Sequence, residues 1–400
     1  MPQWLYLLLT VPSISALIGW LTNWQAVKMI FWPERLVGWG PLAWQGIVFR
    51  HAEKFATNLG RVAQQNLLTG ADVVAKLDLA ALDELIAAPL AESTPPMVER
   101  AVEVLAPGAW GNVPEPMRKM ILAQVTARGQ ALARELTVEL APEVAKELDI
   151  EEIVRAQLSG PNVRRLARLT HEIGHKEFRF IEWSGGVFGW IIGLGQFGVW
   201  SAMHTWWLMP IFGVLVGLTT NWLALQMIFR PYERTRYLGV PYQGLFPKRQ
   251  AEISHDYGRT TAAEVVTPQT LLDALTQGPR GQRMRQLLEE RLGARIDREW
   301  AQVKGMIPLP VSDAQLTQLK EMVMAQLLTT AAELRPAIEA QMAKHLEIRE
   351  TVETRLAALS KPEFERLLRG VFQEDELTLI IVGGLLGGLV GLAQAGIALA

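Results

Sequence analysis

The chain contains no cysteine. Disulfides, thiol catalysis and thiolate metal sites are therefore excluded. It also lacks a charge imbalance, with 39 Lys+Arg against 41 Asp+Glu, which argues against a dedicated nucleic-acid binder. No glycine-rich phosphate loop, Ser/His/Asp set or paired-carboxylate arrangement stands out. The most informative absence is local. Residues 1–27, 183–229 and 377–400 carry no Asp, Glu, Lys or Arg, while the rest of the chain is densely charged.

A membrane-crossing helix needs about 20 apolar residues. The three runs supply four such spans, at 4–31, 185–203, 206–229 and 377–399, with the middle pair hinged between Ser201 and Pro210 around His204. The N-terminal run is too long for a signal peptide and lacks a basic leader and a small-residue cleavage site. Cations cluster on one side of every span. Arg164 and Arg165 precede the second, and Arg230, Lys248 and Arg249 follow the third. The positive-inside rule then places both soluble segments, 33–182 and 231–376, in the cytoplasm and both termini outside. The expected fold is all-α, a multi-pass membrane protein with four transmembrane helices.

The chain is also written twice. "LTNWQAVKMIFWP" (21–33) returns as "TTNWLALQMIFRP" (219–231), and Thr22 and Thr220 are 198 residues apart (220 − 22). That offset pairs Gly19 with Gly217, Ala26 with Ala224, Met29 with Met227, Pro33 with Pro231 and Gln45-Gly46 with Gln243-Gly244. "GGVFGWIIGLGQFG" from Gly185 faces "GGLLGGLVGLAQAG" from Gly383 at the same offset. The expectation is a tandem duplication, repeat 1 over 1–200 and repeat 2 over 201–400. Each repeat reads span, cytoplasmic helical domain, span, so the pseudo-two-fold axis lies along the membrane normal, as in parallel-repeat proteins. The soluble segments carry apolar residues at helical spacing, as in "PMRKMILAQVTARGQALARELTVEL". Prolines at 94–96, 114–116 and 308–310 predict turns between long helices. Irregular turns are expected at "GPLAWQGIVFR" and "GVPYQGLFPKR".

The paired "TNWxAxxMIFxP" motifs, the "QG" loop followed by "PKR" and the glycine-rich last span with its glutamine resemble the YheB/YjiN-type family of bacterial membrane proteins. The family carries a domain of unknown function. The resemblance implies a cytoplasmic-membrane protein and supplies no catalytic residues.

Four groups of residues are candidates for function. Thr22, Asn23, Trp24, Thr220, Asn221 and Trp222 form a polar motif inside apolar helices. Counting back from Pro33 places Asn23 about 15 Å into the span, near mid-membrane. The residues common to the two repeats share one helical face, expected to meet its equivalent across the axis. An amide there serves either as interhelical glue or as a site for a solute or ion. Gly185, Gly189 and Gly193, with Gly383, Gly387 and Gly391, recur at four-residue spacing and read as close helix packing, so leucine at Gly189 or Gly387 is expected to unfold the protein. Juxtamembrane Arg164, Arg165, Arg230, Lys248 and Arg249 would attract anionic lipid heads. "HEIGH", His171 to His175, has the two-histidine spacing of zinc peptidases but no equivalent in the second repeat. No metal, cofactor or catalytic residue is expected. The reading is a non-enzymatic membrane protein, an envelope scaffold or a lipid handler at the inner leaflet, with membrane lipids, a second copy or an envelope protein as partners. The alternative is a solute transporter or channel through the paired Thr-Asn motifs, and the third is a zinc peptidase at His171, Glu172 and His175.

Overall fold

The computed structural model describes residues 3–40, 43–203, 205–237, 239–303, 311–369 and 376–399. The expected features at His204 and at prolines 308–310 lie outside them. In chain order the helices are α1 (Gln3–Phe31), α2 (Ile47–Arg50), α3 (Ala52–Val62), α4 (Gly70–Ala75), α5 (Leu79–Leu105), α6 (Glu115–Glu147), α7 (Ile150–Leu158), α8 (Val163–Met203) and α9 (Leu208–Phe229). A hairpin of β1 (Thr235–Tyr237) and β2 (Val240–Tyr242) follows. Then come α10 (Leu245–Lys248), α11 (Gln250–Thr260), α12 (Pro268–Thr276), α13 (Gly278–Val303), α14 (Asp313–His345), α15 (Ile348–Ala358), α16 (Lys361–Arg369) and α17 (Glu376–Leu399). Four helical stretches, Trp4–Phe31, Gly160–Met203, Leu208–Phe229 and Glu376–Gly396, are long and apolar enough to cross a membrane.

The chain divides into two compact units that cut across the sequence repeat. One comprises residues 1–67, 154–261 and 349–400, the other residues 68–153 and 262–348. The middle parts of both expected soluble segments form the second unit, and their ends belong to the first.

In the first unit the spans pack as antiparallel pairs, α1 on α8 and α9 on α17, and glycine sets the separation. A Cβ on Gly19 would stand 2.1 Å from the Gly185 carbonyl oxygen, and one on Gly217 2.0 Å from that of Gly383. Gly189 meets the Ser15 carbonyl at 2.3 Å and Gly387 that of Gly213 at 2.1 Å. Gly193 lies on Pro12 and Gly391 on Met209. The glycines of this shared face therefore meet the glycine-rich helix that follows in the chain, while Ala26 and Ile30 of α1 line one small cavity with Asn221 of α9. Backbones so close gain dispersion contacts that larger residues would forbid.

The "QG" turn has an equally local cause. Pro33 and Pro231 cannot continue α1 and α9. The Gly46 N–H donates to the Pro33 carbonyl (2.8 Å) and the Gly244 N–H to that of Pro231 (3.0 Å). A Cβ on either glycine would lie 2.8 Å from a backbone nitrogen of the helix end, of Trp32 or of Arg230. Gln45 Nε2 donates to the Glu34 carbonyl (2.9 Å) and Gln243 Nε2 to that of Tyr232 (2.8 Å). The segments expected as irregular turns are ordered by extended pairing. Val37 bridges Trp44, and β1 pairs with β2 through Thr235↔Tyr242.

In the second unit α5, α6, α13 and α14 pack around Leu136, Leu292 and Met324, with Leu288, Ile296 and Leu327 against them. The expected turn at 94–96 is absent, since α5 runs through Pro89, Pro95 and Pro96. Proline removes a helical donor, but the Ser93 and Thr94 hydroxyls bond back to the Leu90 carbonyl (3.2 and 2.7 Å). Thr94 and Val98 are buried, so packing outweighs the local penalty. The break at 114–116 falls where α6 begins. Threonine–aspartate and serine–glutamine capping boxes start α4 and α14, each satisfying orphan N–H groups of a first turn.

Candidate functional site

Asn23 and Asn221 lie in the two helix pairs and make the same bond. Asn23 Nδ2 donates to the Ile181 carbonyl (2.6 Å) and Asn221 Nδ2 to that of Leu379 (2.8 Å), both across 158 residues of chain. The acceptors stand four residues before Gly185 and Gly383. Those glycines uncover them, for a Cβ at Gly185 would lie 2.6 Å from Asn23 Cγ and one at Gly383 2.3 Å from Asn221 Nδ2. Motif and glycine row are thus one device, in which an amide reaches a helix carbonyl that only glycine leaves bare. Such bonds contribute about 0.6–1.7 kcal/mol each.

The register of this device sets it beside the charged end of each partner helix. Ile181 neighbours Glu182 and lies two residues from Arg179, and Leu379 lies three residues from Glu376. Pairing puts Asn23 level with the last charged turn of α8, and Asn221 with the first turn of α17. The asparagines therefore mark the boundary between charged and uncharged helix, and α1 and α9 each run eight residues past it (31 − 23 and 229 − 221). Apolar composition in α1 and α9 continues where the partner helix is already charged.

The amide oxygens are not used by these bonds. Asn23 Oδ1, Asn221 Oδ1 and Thr220 Oγ1 are buried without a hydrogen-bond partner. Beside Asn221 a small cavity of about 20 Å³ is lined by Ala26, Ile30, Ile181, Leu225 and Leu379, room for about one water. Thr22 bonds locally to the Gly19 carbonyl. Trp24 stacks on Trp20, its ring 4.7 Å from Lys28 Nζ, and Trp222 is half exposed.

The larger feature is an open cavity of about 760 Å³ in the first unit. Its apolar wall is Phe188 of α8, Leu223 and Met227 of α9, and Pro231. Its polar end holds Gln226, Arg230, Tyr232 and Tyr242. Tyr242 donates through its hydroxyl to the Met227 carbonyl, pinning β2 against the end of α9, and burial pushes that phenol up to about 12. Tyr232 donates to buried Glu365, and this hydrogen bond, with burial, raises its phenol above the ordinary range. Glu365 also accepts from Arg369 Nη1 at 3.1 Å and faces Arg230 Nε at 3.7 Å. Arg369 is held as a fork on Glu376 (2.7 and 2.8 Å), which raises its pKa.

The five basic residues marked from sequence are not equivalent. Arg164 pairs with Glu34 (2.8 Å) and Arg165 with Gln157. Lys248 is exposed. Arg249 is committed to buried Glu177 and to Glu252 (2.8 Å). Burial works to lower its pKa, and the hydrogen bonds from Glu252 and Glu177 outweigh that and raise it. Only Arg230 opens into the cavity. The partners of Arg230, above all Glu365 and Tyr232, had no periodic or motif signal in the sequence. In "HEIGH", the His171 ring packs edge-on against Phe31 (5.3 Å) and His175 Nδ1 contacts the Glu172 carbonyl (2.8 Å). Among the described residues no group of three or more His, Asp or Glu could hold a metal ion.

Apolar spanning helices, interhelical amides and a lateral cavity define a helical membrane protein. The chain is similar over part of its length to a family described as protein of unknown function (DUF445), whose model matches residues 211–341. Curated relatives are the UPF0754 membrane proteins of bacteria. That of Exiguobacterium sibiricum is 40% identical over 73 residues, 17% of this chain and 19% of the relative. The Geobacillus kaustophilus protein is 41% identical over 66 residues, 16% and 18% of the two chains. YheB of Bacillus subtilis is 38% identical over 64 residues, 15% and 17%. The resemblance to YheB read from the paired motifs holds. The chain spans less than a fifth of the length of these three relatives. No solved structure matches.

Proposed function

We propose that this chain is a non-enzymatic integral protein of the bacterial cytoplasmic membrane that holds phospholipid at the inner leaflet and scaffolds the envelope there. The cavity of about 760 Å³ carries this reading. Its wall is built on helices apolar enough to span, so what lies beside Phe188 and Leu223 is acyl chain, and its polar end begins where α9 stops. Both termini lie outside, and the halves arose by tandem duplication about an axis along the membrane normal. The recurrence 198 residues on of the asparagine–carbonyl bond, the "QG" turn and the Val37/Thr235 pairing supports duplication. Positive-inside flanks support the orientation.

Transport through the paired Thr-Asn motifs is the second reading, favoured by the unpartnered Oδ1 atoms. The engaged Nδ2 atoms and a cavity of about 20 Å³ weigh toward glue.

Native mass spectrometry of gently purified protein tests the first reading. Phospholipid should co-purify with the wild type and be lost in Leu223→Trp, which fills the cavity. A lipid-free protein showing solute flux in proteoliposomes that Asn23→Ala abolishes would favour transport.

A further inference from the structure

Resting on the lipid reading of this cavity, we propose that it selects phospholipids whose head carries net negative charge, with Arg230 as the head-group residue and Gln226 beside it. The argument is one of unmatched charge. Arg230 is the one charged side chain among the described residues lining the cavity, and no carboxylate lines it. The nearest acid, Glu365, lies behind the wall with its side chain 5% exposed. Its oxygens are engaged by the Tyr232 hydroxyl and by Arg369 at 3.1 Å. Arg369 is in turn saturated by its fork on Glu376. A zwitterionic lipid's ammonium thus finds no accessible counter-charge.

The guanidinium is differently placed. Its ion pair with Glu365 is long, 3.7 Å, and its side chain is 55% exposed. A planar fork with five donors, engaged by this long pair and by a side-chain hydrogen bond with Tyr232, retains donors for a phosphodiester. The Tyr232 ring lies 5.8 Å from the guanidinium carbon, and both side chains line the cavity. Arg230 follows Leu223 by seven residues, about 10 Å along the axis, so a phosphate on Arg230 leaves the chains against Leu223 and Phe188. Glu365 keeps Arg230 compensated while the cavity is empty, and the phosphate replaces that weak pair.

The test uses the full chain in mild detergent with equal mole fractions of phosphatidylglycerol and phosphatidylcholine, counting bound lipid by native mass spectrometry. One cation near the membrane surface is expected to favour the anionic lipid about fivefold. Arg230→Gln should retain lipid without preference, and Arg230→Lys should restore preference. Loss of preference in Arg230→Lys, at an unchanged unfolding midpoint, would overturn charge as the selector. Equal retention of both lipids by the wild type overturns the head-group inference and leaves the lipid reading standing. Retention no greater than in Leu223→Trp overturns the lipid reading itself. Millimolar inorganic phosphate should not displace the anionic lipid, and displacement would reassign Arg230 to a soluble anion.

Discussion

Adding one methyl group at Gly387 should separate α9 from α17. The new Cβ would lie 2.1 Å from the Gly213 carbonyl oxygen and 2.9 Å from its carbon, both rigid backbone atoms. Restoring ordinary contact near 3.4 Å moves the helices apart by about 1 Å, and the asparagine bond at 2.8 Å to Leu379 stretches with them. Overpacking of this kind costs about 1–3 kcal/mol, and the interhelical bond about 0.6–1.7 kcal/mol more. Alanine regains up to about 1 kcal/mol of helix propensity. The net expectation is destabilisation by about 1–4 kcal/mol. Gly195→Ala is the control, because nothing stands within 4 Å of its Cβ position, and the propensity gain should appear alone. The assay is unfolding by titration of a harsh detergent into mild micelles, followed by tryptophan fluorescence. A Gly387→Ala midpoint equal to or above that of Gly195→Ala would refute the close-packing account.

Asn221→Ala should lower the same midpoint by about 0.6–1.7 kcal/mol, and an unchanged midpoint would mean the Leu379 bond contributes nothing. Glu252 is held down to about 2 by hydrogen bonds from Arg249 and then Lys176, against an ordinary 4.5. Its folded value lies below its unfolded one, so its contribution is present above about pH 4.5 and is lost as pH falls toward 2. The acid limb of the midpoint should flatten in Glu252→Gln, and an identical limb would sink the assignment. Tyr242 is raised to about 12 from 10. Its contribution is intact below pH 10 and falls as pH rises toward 12, so Tyr242→Phe should lose about 1 kcal/mol near neutrality and show a flatter alkaline limb. Spectrophotometric titration in which every tyrosine ionises near 10 would contradict this.

The sequence by itself determined which parts are apolar and which motifs recur 198 residues on. Uncharged runs long enough for helices, ended by Pro33 and Pro231, need no tertiary context, because hydropathy and a missing N–H act locally. Glycines at four-residue spacing signalled close approach for the same reason. Tertiary structure decided what each repeated feature meets. Asn23 was visible as a buried amide, but its acceptor, Ile181, has no side-chain signature, since any residue's carbonyl serves once glycine exposes it. The register of α1 on α8 sets Asn23 against the charged boundary of α8. Pro95 and Pro96 read as a turn, and burial of Thr94 and Val98 keeps the helix whole. Among five basic residues equivalent in sequence, Arg249 is spent on Glu177 while Arg230 faces an open cavity. That difference depends on a carboxylate 72 residues away in one case and 135 in the other (249 − 177 and 365 − 230). Pairings at such separation are fixed by packing and leave no local pattern in the chain.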